Sequence, residues 1–200
     1  KSFEFFSTYF LPNIQLEDMM AVKKWNPSNN ELIYHDNMFS LKTRKWVKKK
    51  PSEQQAFKTY KNSLVVNQDK MTSFVRISFS HKSPEVAKEW VEIIIYNINE
   101  SMRLEDISAS QNYINFLNES QQSTNVQSLK EVASRLLENQ MQTLMLASSN
   151  ESYIFKTIDS PIRPELKSAP TRSIICIAIT LFGGIFSVLL VLFRHYFVVE

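Results

Sequence analysis

Glycine is absent from the first 182 residues of this 200-residue chain, and its two glycines form the adjacent pair Gly183-Gly184. Glycine normally supplies positive φ angles and lets the backbone approach a ligand closely. Its absence excludes the glycine-built phosphate loops G-x-x-x-x-G-K-[ST] and G-x-G-x-x-G, and also the G-x-S-x-G nucleophile elbow. The Asn-Gly hairpins of many all-β folds are excluded as well. We therefore expect a chain built mainly from helices that are joined by polar turns.

Both glycines lie in a long apolar segment near the C-terminus. Residues 173–193, SIICIAITLFGGIFSVLLVLF, carry no charged side chain and are bracketed by Arg172 and Arg194. As a helix they would extend about 31 Å, which matches a hydrocarbon core of roughly 30 Å. The pattern predicts a transmembrane helix. The glycine pair is either slack within the span or, together with Ser187, a surface of small residues on which another membrane helix can pack closely.

The charges that flank this predicted span leave its orientation open. Arg163, Lys167 and Arg172 precede it, against Arg194 alone on the other side. The positive-inside rule applied to this count places the preceding domain in the cytoplasm. Long domains, however, translocate largely regardless of charge.

A continuous helix is predicted over residues 85–122, which contain neither proline nor glycine. Ser83, Pro84 and Glu85 supply an N-cap, a proline at the first helical position and an acid in the first turn. About 38 residues would extend roughly 57 Å, a length typical of a coiled coil or an extended rod. The apolar stripe repeats every three or four residues and comprises Ala87, Val91, Ile94, Ile98, Met102, Ile107, Ile114 and Leu117.

A shorter helix is predicted to follow a polar turn and to return along the first. Its start is marked by a capping box, Thr124 with Gln127 or Ser128 with Glu131. Asn150 is expected to end it in the left-handed conformation. Because this helix covers only part of the longer one, we expect the remaining stripe to pack against other copies of the chain. Its own apolar face comprises Val126, Leu129, Ala133, Leu137, Met141 and Leu144.

Shorter segments complete the predicted fold. Residues 3–14 place phenylalanines at helical spacing and predict a short amphipathic helix that ends near Pro12. Residues 25–63 are polar and turn-rich and then basic. Residues 74–80 alternate between apolar and polar and predict a half-buried strand. Residues 153–158 alternate too, and we expect the two segments to pair.

Six cations are concentrated between residues 42 and 50. One interpretation is a solvated loop that needs no ligand. The other is contact with an anionic polymer or with lipid headgroups, through neutralisation of charge. No recognised nucleic-acid motif surrounds the cluster, so we expect no nucleic-acid partner. The cations are Lys42, Arg44, Lys45, Lys48, Lys49 and Lys50.

The sequence contains no pattern of catalytic or metal-binding residues. None of its three histidines is followed by a second histidine at the spacing of H-E-x-x-H, so that motif is absent. The adjacent acids at 17–18 and 105–106 do not face each other on a helix and so do not resemble an acid/base dyad. The single cysteine, Cys176, excludes a disulfide within the chain. We expect a protein that is not an enzyme and that binds no cofactor and no metal.

Two parts of the chain together resemble a known family. Residues 153–197, YIFKTIDSPIRPELKSAPTRSIICIAITLFGGIFSVLLVLFRHYF, combine an Ile-Asp ending, a three-proline connector, and a span with a central Gly-Gly and a closing Arg. FVRISFSHKSPEVAKEWVEIIIYNIN at 74–99 and LLENQMQTLMLAS at 136–148 add a strand, a long helix opening at Ser-Pro and a returning helix. Over about residues 70–197 the chain resembles the Wzz-type chain-length determinants, the polysaccharide co-polymerase family.

The resemblance implies an inner-membrane protein with two spans and a periplasmic domain, which assembles into a ring-shaped homo-oligomer. Such proteins work with the polymerase that extends O-antigen-like surface polysaccharides, set the modal chain length and are not enzymes. Lipid-linked polysaccharide is a further implied partner. The family's first span and first strands would precede Lys1, so the chain is expected to be an N-terminally truncated member.

The expected fold class is α+β, a small sheet with a long extended helix and a shorter returning helix, plus one C-terminal transmembrane helix. Four parts are expected: a periplasmic domain at 1–160, a proline-rich connector at 161–172, the span at 173–193 and a cytoplasmic tail at 194–200. The connector and the span join the domain to the membrane, so we expect them to face the polymerase or the lipid. The candidate contact residues are Pro161, Arg163, Pro164, Lys167, Pro170, Arg172, Gly183 and Gly184.

One alternative stays open at this point. A tail-anchored coiled-coil adaptor, or a fusion-type protein, would carry the same C-terminal helix with a cytoplasmic helical domain. The local charge count favours it. The two alternating segments and the lack of sustained heptads leading into the membrane oppose it.

Overall fold

The computed structural model describes most of the chain, and it divides into two units, Lys1–Arg163 and Pro164–Glu200. The first unit combines long helices with small antiparallel sheets, so the predicted α+β class is confirmed. The described residues are 1–123, 126–150, 152–164 and 172–197.

The chain begins with a helical segment whose geometry changes along its length. Helix α1 (Phe3–Phe5) continues as a π-helical turn at Phe6–Phe10 and then as a 3-10 turn at Leu11–Asn13. Phe6 and Phe10 are fully buried. The predicted N-terminal helix is therefore confirmed, and it ends at the proline-containing turn.

Three antiparallel hairpins follow, and each forms a two-stranded sheet of its own. They form without Asn-Gly turns, because each connection places a non-glycine residue at positive φ: Asn30 at 53°, Arg44 at 50° and Ser73 at 61°. Asparagine tolerates this region best, whereas a left-handed residue of another type costs roughly 1–2 kcal/mol. The pairs are β1 (Val22–Asn26) with β2 (Glu31–Tyr34), β3 (Phe39–Ser40) with β4 (Lys45–Trp46), and β5 (Leu64–Gln68) with β6 (Val75–Phe79).

The predicted strand at 74–80 is confirmed as β6, but its predicted partner is wrong. β6 pairs with β5, in a register that runs from Leu64↔Phe79 to Gln68↔Val75. Residues 152–158, by contrast, form no strand within the described chain. The short connection between β5 and β6 costs less closure entropy than the long excursion that a pairing with 153–158 would require.

Two helices lie outside the predicted elements, one before and one within residues 25–63, the segment whose sequence is polar, turn-rich and then basic. Helix α2 (Leu16–Met20) is a short helix of 5 residues. Helix α3 (Glu53–Ser63) starts with a capping box, in which Ser52 Oγ accepts from the Gln55 N–H and Gln55 Oε1 accepts from the Ser52 N–H. This reciprocal pair satisfies two backbone donors that a helix start otherwise leaves open.

The core of the first unit is an aromatic cluster between the N-terminal helical segment, α3, β6 and the start of the next helix. The Tyr60 ring centroid lies 5.0 Å from that of Phe6 and 4.7 Å from that of Phe10. Trp90 packs edge-on against Phe10 and Phe79, at 5.7 and 5.1 Å. Such tilted and edge-to-face pairs each add about 0.5–1.5 kcal/mol beyond the area they bury.

Helix α4 (Pro84–Ser123) confirms the predicted long helix, and its 40 residues extend about 60 Å. The Val86 N–H donates to Ser83 Oγ at 3.4 Å, as expected for the N-cap. Helix α5 (Gln127–Ser149) returns along α4 and is shorter, also as predicted.

The ends of α5 differ from the prediction. Its N-cap is Val126, so Ser128 lies inside the helix rather than at its cap, and Thr124 lies outside the described residues. Asn150 closes the helix with φ −118° and ψ 118°, an extended conformation rather than a left-handed one.

The second unit contains helix α6 (Arg172–Phe197). Its segment Ile174–Arg194 has a mean hydropathy of 2.8, and by length and composition it is able to cross a membrane. Among the described residues it is the one helix that meets this condition.

Candidate functional site

The segment that leads out of α5 is anchored to α4 by a buried amide. Asn99, only 6% exposed, lies on the face of α4 that the segment crosses. Its Nδ2 donates to the Phe155 carbonyl at 3.0 Å. Its Oδ1 accepts from the backbone N–H groups of Ile154 and Phe155, at 3.0 and 2.7 Å. One side chain thus satisfies three backbone groups, as a neighbouring strand would.

Two further contacts fix the same segment, residues 152–163, which we call the return segment. The Tyr153 hydroxyl donates to Asp106 Oδ2 at 2.8 Å. At the other end the Arg163 guanidinium forms an ion pair with Glu85, in the first turn of α4. The acid also lies where the positive end of the helix dipole favours it.

The spacing of these contacts sets the path of the return segment. Asp106 and Glu85 are about 32 Å apart along α4 at 1.5 Å per residue. The chain between Tyr153 and Arg163 reaches at most about 36 Å when fully extended. The segment therefore runs largely extended and antiparallel to α4, and Pro161 favours that conformation.

The predicted contact residues of the connector differ in their exposure and in their contacts. Pro161 is half-buried, whereas Arg163 and Pro164 are exposed, with 63% of the Arg163 side chain accessible. Lys167 and Pro170 lie outside the described residues. Arg172 begins α6, and its side chain is likewise outside the described set. The structure therefore brings one of these residues, Arg163, into a defined contact with α4.

The glycine pair lies in the middle of α6. A Cβ added at Gly183 or Gly184 would meet no atom within 4 Å. Ser187 Oγ donates back to the Gly184 carbonyl at 2.8 Å, within the helix. Within the described residues, the predicted close contact of this helix face with another helix is not made.

The predicted basic cluster occupies the β3–β4 hairpin and the residues after it, which we call the basic hairpin (residues 39–50). All six predicted cations, Lys42 to Lys50, are exposed. In the described part of the chain, none of them pairs with an acid. Their charge is thus available to an external anion. Trp46, which the sequence analysis did not single out, lies half-buried among them.

A polar cluster fastens the start of α4 to α2 and the first hairpin. The Tyr34 hydroxyl donates to Asp18 Oδ1 at 2.6 Å. His81 Nε2 lies 2.9 Å from the Asp18 carbonyl oxygen, and the Ser83 N–H donates to His81 Nδ1 at 3.1 Å. The His81 ring also packs on Trp90, at 5.0 Å between centroids. Both ring nitrogens are therefore occupied by backbone groups, which makes this histidine structural.

The same cluster perturbs two acids. Burial raises the pKa of the Asp18 carboxyl, and the hydrogen bond from Tyr34 partly opposes this effect. Burial and the carboxylate of Asp18 raise the pKa of the Tyr34 hydroxyl well above its ordinary value, so it remains a donor. Among the described residues no group of His, Cys, Asp and Glu is arranged to hold a metal ion.

No protein-family model matches this chain, and none of the curated proteins matches it either. The resemblance drawn from the quoted motifs therefore stays a prediction. The proposals below are argued from the residues of this chain.

Proposed function

We propose that the protein is an oligomeric inner-membrane scaffold that regulates the chain length of an O-antigen-like surface polysaccharide, together with its polymerase. In this proposal α6 spans the membrane, the first unit is periplasmic, and no bond-making chemistry is performed by the chain. The observation that carries the proposal is the return segment. It holds residues 153–163, at the end of the first unit, along most of the proximal half of α4.

The return segment supports a scaffold because it gives the first unit a fixed contact along α4. Asn99, Tyr153 and Arg163 hold the segment on α4 at three points. A change in the packing of α4 against its neighbours would therefore also move residues 153–163.

Assembly is supported by apolar residues that α5 does not cover. Successive residues of a helix are rotated by 100° around its axis. On each of the two helices, the exposed apolar residues lie on average about 90° around the axis from the face that contacts the other helix. The rotation has the same direction on both helices, and because the helices are antiparallel, both groups of residues lie on the same side of the pair. This exposed stripe, 38–64% accessible, comprises Met102, Tyr113, Phe116, Leu129, Val132, Leu136 and Leu146. Contiguous apolar patches of this kind mark protein interaction sites.

The proposal is tested by the length distribution of the surface polysaccharide. Deletion of the gene in its own host is expected to broaden the distribution on an electrophoretic ladder, and the full chain supplied in trans is expected to restore the mode. A ladder that deletion leaves unchanged contradicts the proposal.

The orientation of the first unit separates this proposal from a cytoplasmic, tail-anchored adaptor. Protease added to intact spheroplasts is expected to digest residues 1–160, while a cytoplasmic marker stays protected. Protection of the first unit under these conditions would instead support the adaptor.

The glycine pair offers a sharper test of contact with the polymerase. Leucine at Gly183 and Gly184 fits the open space around them, so α6 itself is expected to remain intact. The double variant is nevertheless expected to shift the modal length, because it blocks the close approach of a second helix. Ala178→Leu, on another side of α6, is the matched control and is expected to leave the ladder unchanged.

A further inference from the structure

A polar cleft of about 330 Å³ lies next to the basic hairpin. It is bounded by the turn at Leu11–Asn13, the start of α2, the end of the basic hairpin and the start of α3. Its size is at the lower end of the range for pockets that hold a small ligand. Ala56, fully buried, forms part of its floor.

Trp46 forms one wall of this cleft and is held in a fixed orientation. It is paired in register with Phe39, which is 4% exposed. The two rings meet edge-on, with centroids 5.5 Å apart and planes at 70°. The Nε1 donor of Trp46 has no partner in the described chain and is not a buried atom. The indole thus offers a rigid apolar surface together with an unused donor.

Four polar side chains line the same cleft as the tryptophan: those of Gln15, Glu17, Lys50 and Glu53. Within the described residues none of the four makes a hydrogen bond or ion pair through its side chain. Together they present two carboxylates, an amide and an ammonium group. This set of donors and acceptors, next to an aromatic face, suits a polyhydroxylated ring, whose C–H bonds pack on the indole while its hydroxyl groups bond at the rim.

The charges in and around the cleft narrow the class of ligand that it can bind. Lys45, Lys48 and Lys49 lie beside it on the basic hairpin, outside the cleft itself. Their field attracts anionic groups along an extended ligand. Glu17 and Glu53, in contrast, repel a phosphate placed within the cleft. A lipid headgroup or a nucleotide would bring its phosphate to these carboxylates, whereas a sugar ring would not.

We propose that this cleft binds one sugar ring of an acidic polysaccharide, with Trp46 as the stacking surface and the basic hairpin neutralising acid groups on the neighbouring sugars. The assignment rests on the proposed function, which supplies a polysaccharide as the ligand. It adds a site on this chain and the chemical class of polymer that the site accepts.

The test is binding of labelled, partly methyl-esterified oligogalacturonate, in which uncharged sugars lie next to acidic ones, to the full chain in detergent micelles. Binding is followed by fluorescence anisotropy. Maltohexaose is the uncharged comparison. Oligogalacturonate is expected to bind more tightly, and its affinity is expected to fall as salt screens the hairpin. Equal affinity for the two sugars at low salt would overturn the role of the basic hairpin.

Substitutions in the cleft test the residues directly. Trp46→Ala is expected to weaken oligogalacturonate binding about tenfold, the order of one aromatic stack, whereas Trp46→Phe retains a ring and most of the affinity. Lys50→Gln is expected to weaken it by about threefold, the order of one exposed ion pair. Trp25→Ala and Lys24→Gln, on the first hairpin, are the matched controls.

The remaining outcomes distinguish failure of the proposed cleft from failure of the proposed function. Cleft variants that fold, as judged by circular dichroism, and bind like the wild type overturn the site. Binding of anionic phosphatidylglycerol vesicles or of single-stranded DNA in place of oligogalacturonate overturns the assignment to a sugar. If the site binds sugar but gene deletion leaves the polysaccharide ladder unchanged, the proposed function fails alone. If deletion alters the ladder but the cleft variants behave as wild type in both assays, the cleft fails alone.

Discussion

Asn99 and Phe155 form a reciprocal pair: the Asn99 amide donates to the Phe155 carbonyl at 3.0 Å, and the Phe155 N–H donates to Asn99 Oδ1 at 2.7 Å. A backbone strand would offer the same donor and acceptor to Phe155. This explains why residues 153–158 carry the alternation of a strand and yet belong to no sheet. The segment is extended, but its partner is a side chain on α4.

We expect Asn99→Ala to destabilise the first unit by about 1–3 kcal/mol, because it removes three hydrogen bonds between a buried amide and the part-buried backbone at 154–155. Urea unfolding of the full chain in detergent, followed by circular dichroism, measures this loss. Asn112→Ala, at an exposed position on the same helix, is the control and is expected to be neutral or slightly stabilising, since alanine has the higher helix propensity. Equal effects of the two substitutions would contradict the anchoring role.

The Arg163–Glu85 ion pair is expected to contribute little to stability and more to the docking of the return segment. Both side chains are partly exposed, at 63% and 35%, so a double-mutant cycle should give a coupling of about 0–1 kcal/mol that falls with salt. Glu85→Gln is expected to speed amide exchange at Ile154 and Phe155, whose N–H groups donate to Asn99 Oδ1, while leaving exchange in the middle of α4 unchanged. Unchanged exchange at both sites would show that the ion pair does not hold the segment.

The long helices could be predicted from the sequence because their signals are local and repeated. Ser83 and Pro84 mark the start of α4, and an apolar residue returns every three or four positions over its length. The hairpins could not be predicted in the same way. Their turns use Asn30, Arg44 and Ser73 at positive φ, positions that carry no glycine to mark them.

The candidate site, too, could be predicted from the sequence only in part. The exposed cations of the basic hairpin were predicted, since charge density is visible along the chain. Trp46 and Asn99 were not, because each acts through residues distant in sequence: the cleft joins residues near 15, 46 and 53, and the amide joins 99 to 155. A single tryptophan or asparagine has no periodicity, so only the tertiary fold reveals its partners.

Asp18 is expected to make stability depend on pH in the opposite direction from a typical surface carboxylate. Its pKa is raised, chiefly by burial, so the folded chain holds this proton more tightly than the unfolded chain. The stability contributed by this group therefore falls as pH rises from the ordinary carboxyl value of 3.8 through the raised one. Nearby Glu17 raises the pKa further, and His81 lowers it.

Asp18→Asn tests this sign, because the amide no longer titrates but still offers an oxygen to the Tyr34 hydroxyl. At pH 7 the variant is expected to melt at or above the wild-type temperature. The difference in melting temperature between the variant and the wild type is expected to disappear as the pH falls through the raised pKa towards about 4. Asp36→Asn, at an exposed position near the same hairpin, is the control for the loss of one carboxylate elsewhere. If the variant is less stable than the wild type at pH 7 and equally stable at low pH, the predicted direction of the pH dependence is wrong.

The exposed stripe on α4 and α5 is expected to lie at the contact between copies of the chain. Phe116→Glu and Val132→Glu each place a charge on a residue that is more than half exposed in the single chain, so neither should disturb folding of the monomer. In an assembled interface the same charge would be buried without a partner, which costs several kcal/mol and should dissociate the oligomer. Sedimentation velocity in detergent measures the change in mass. Met145→Glu is the matched control, because Met145 is 69% exposed and lies on the opposite side of the helix pair. If all three variants sediment as the wild type does, the copies do not meet through this stripe; if Met145→Glu dissociates the oligomer instead, the interface lies on the other side of α5.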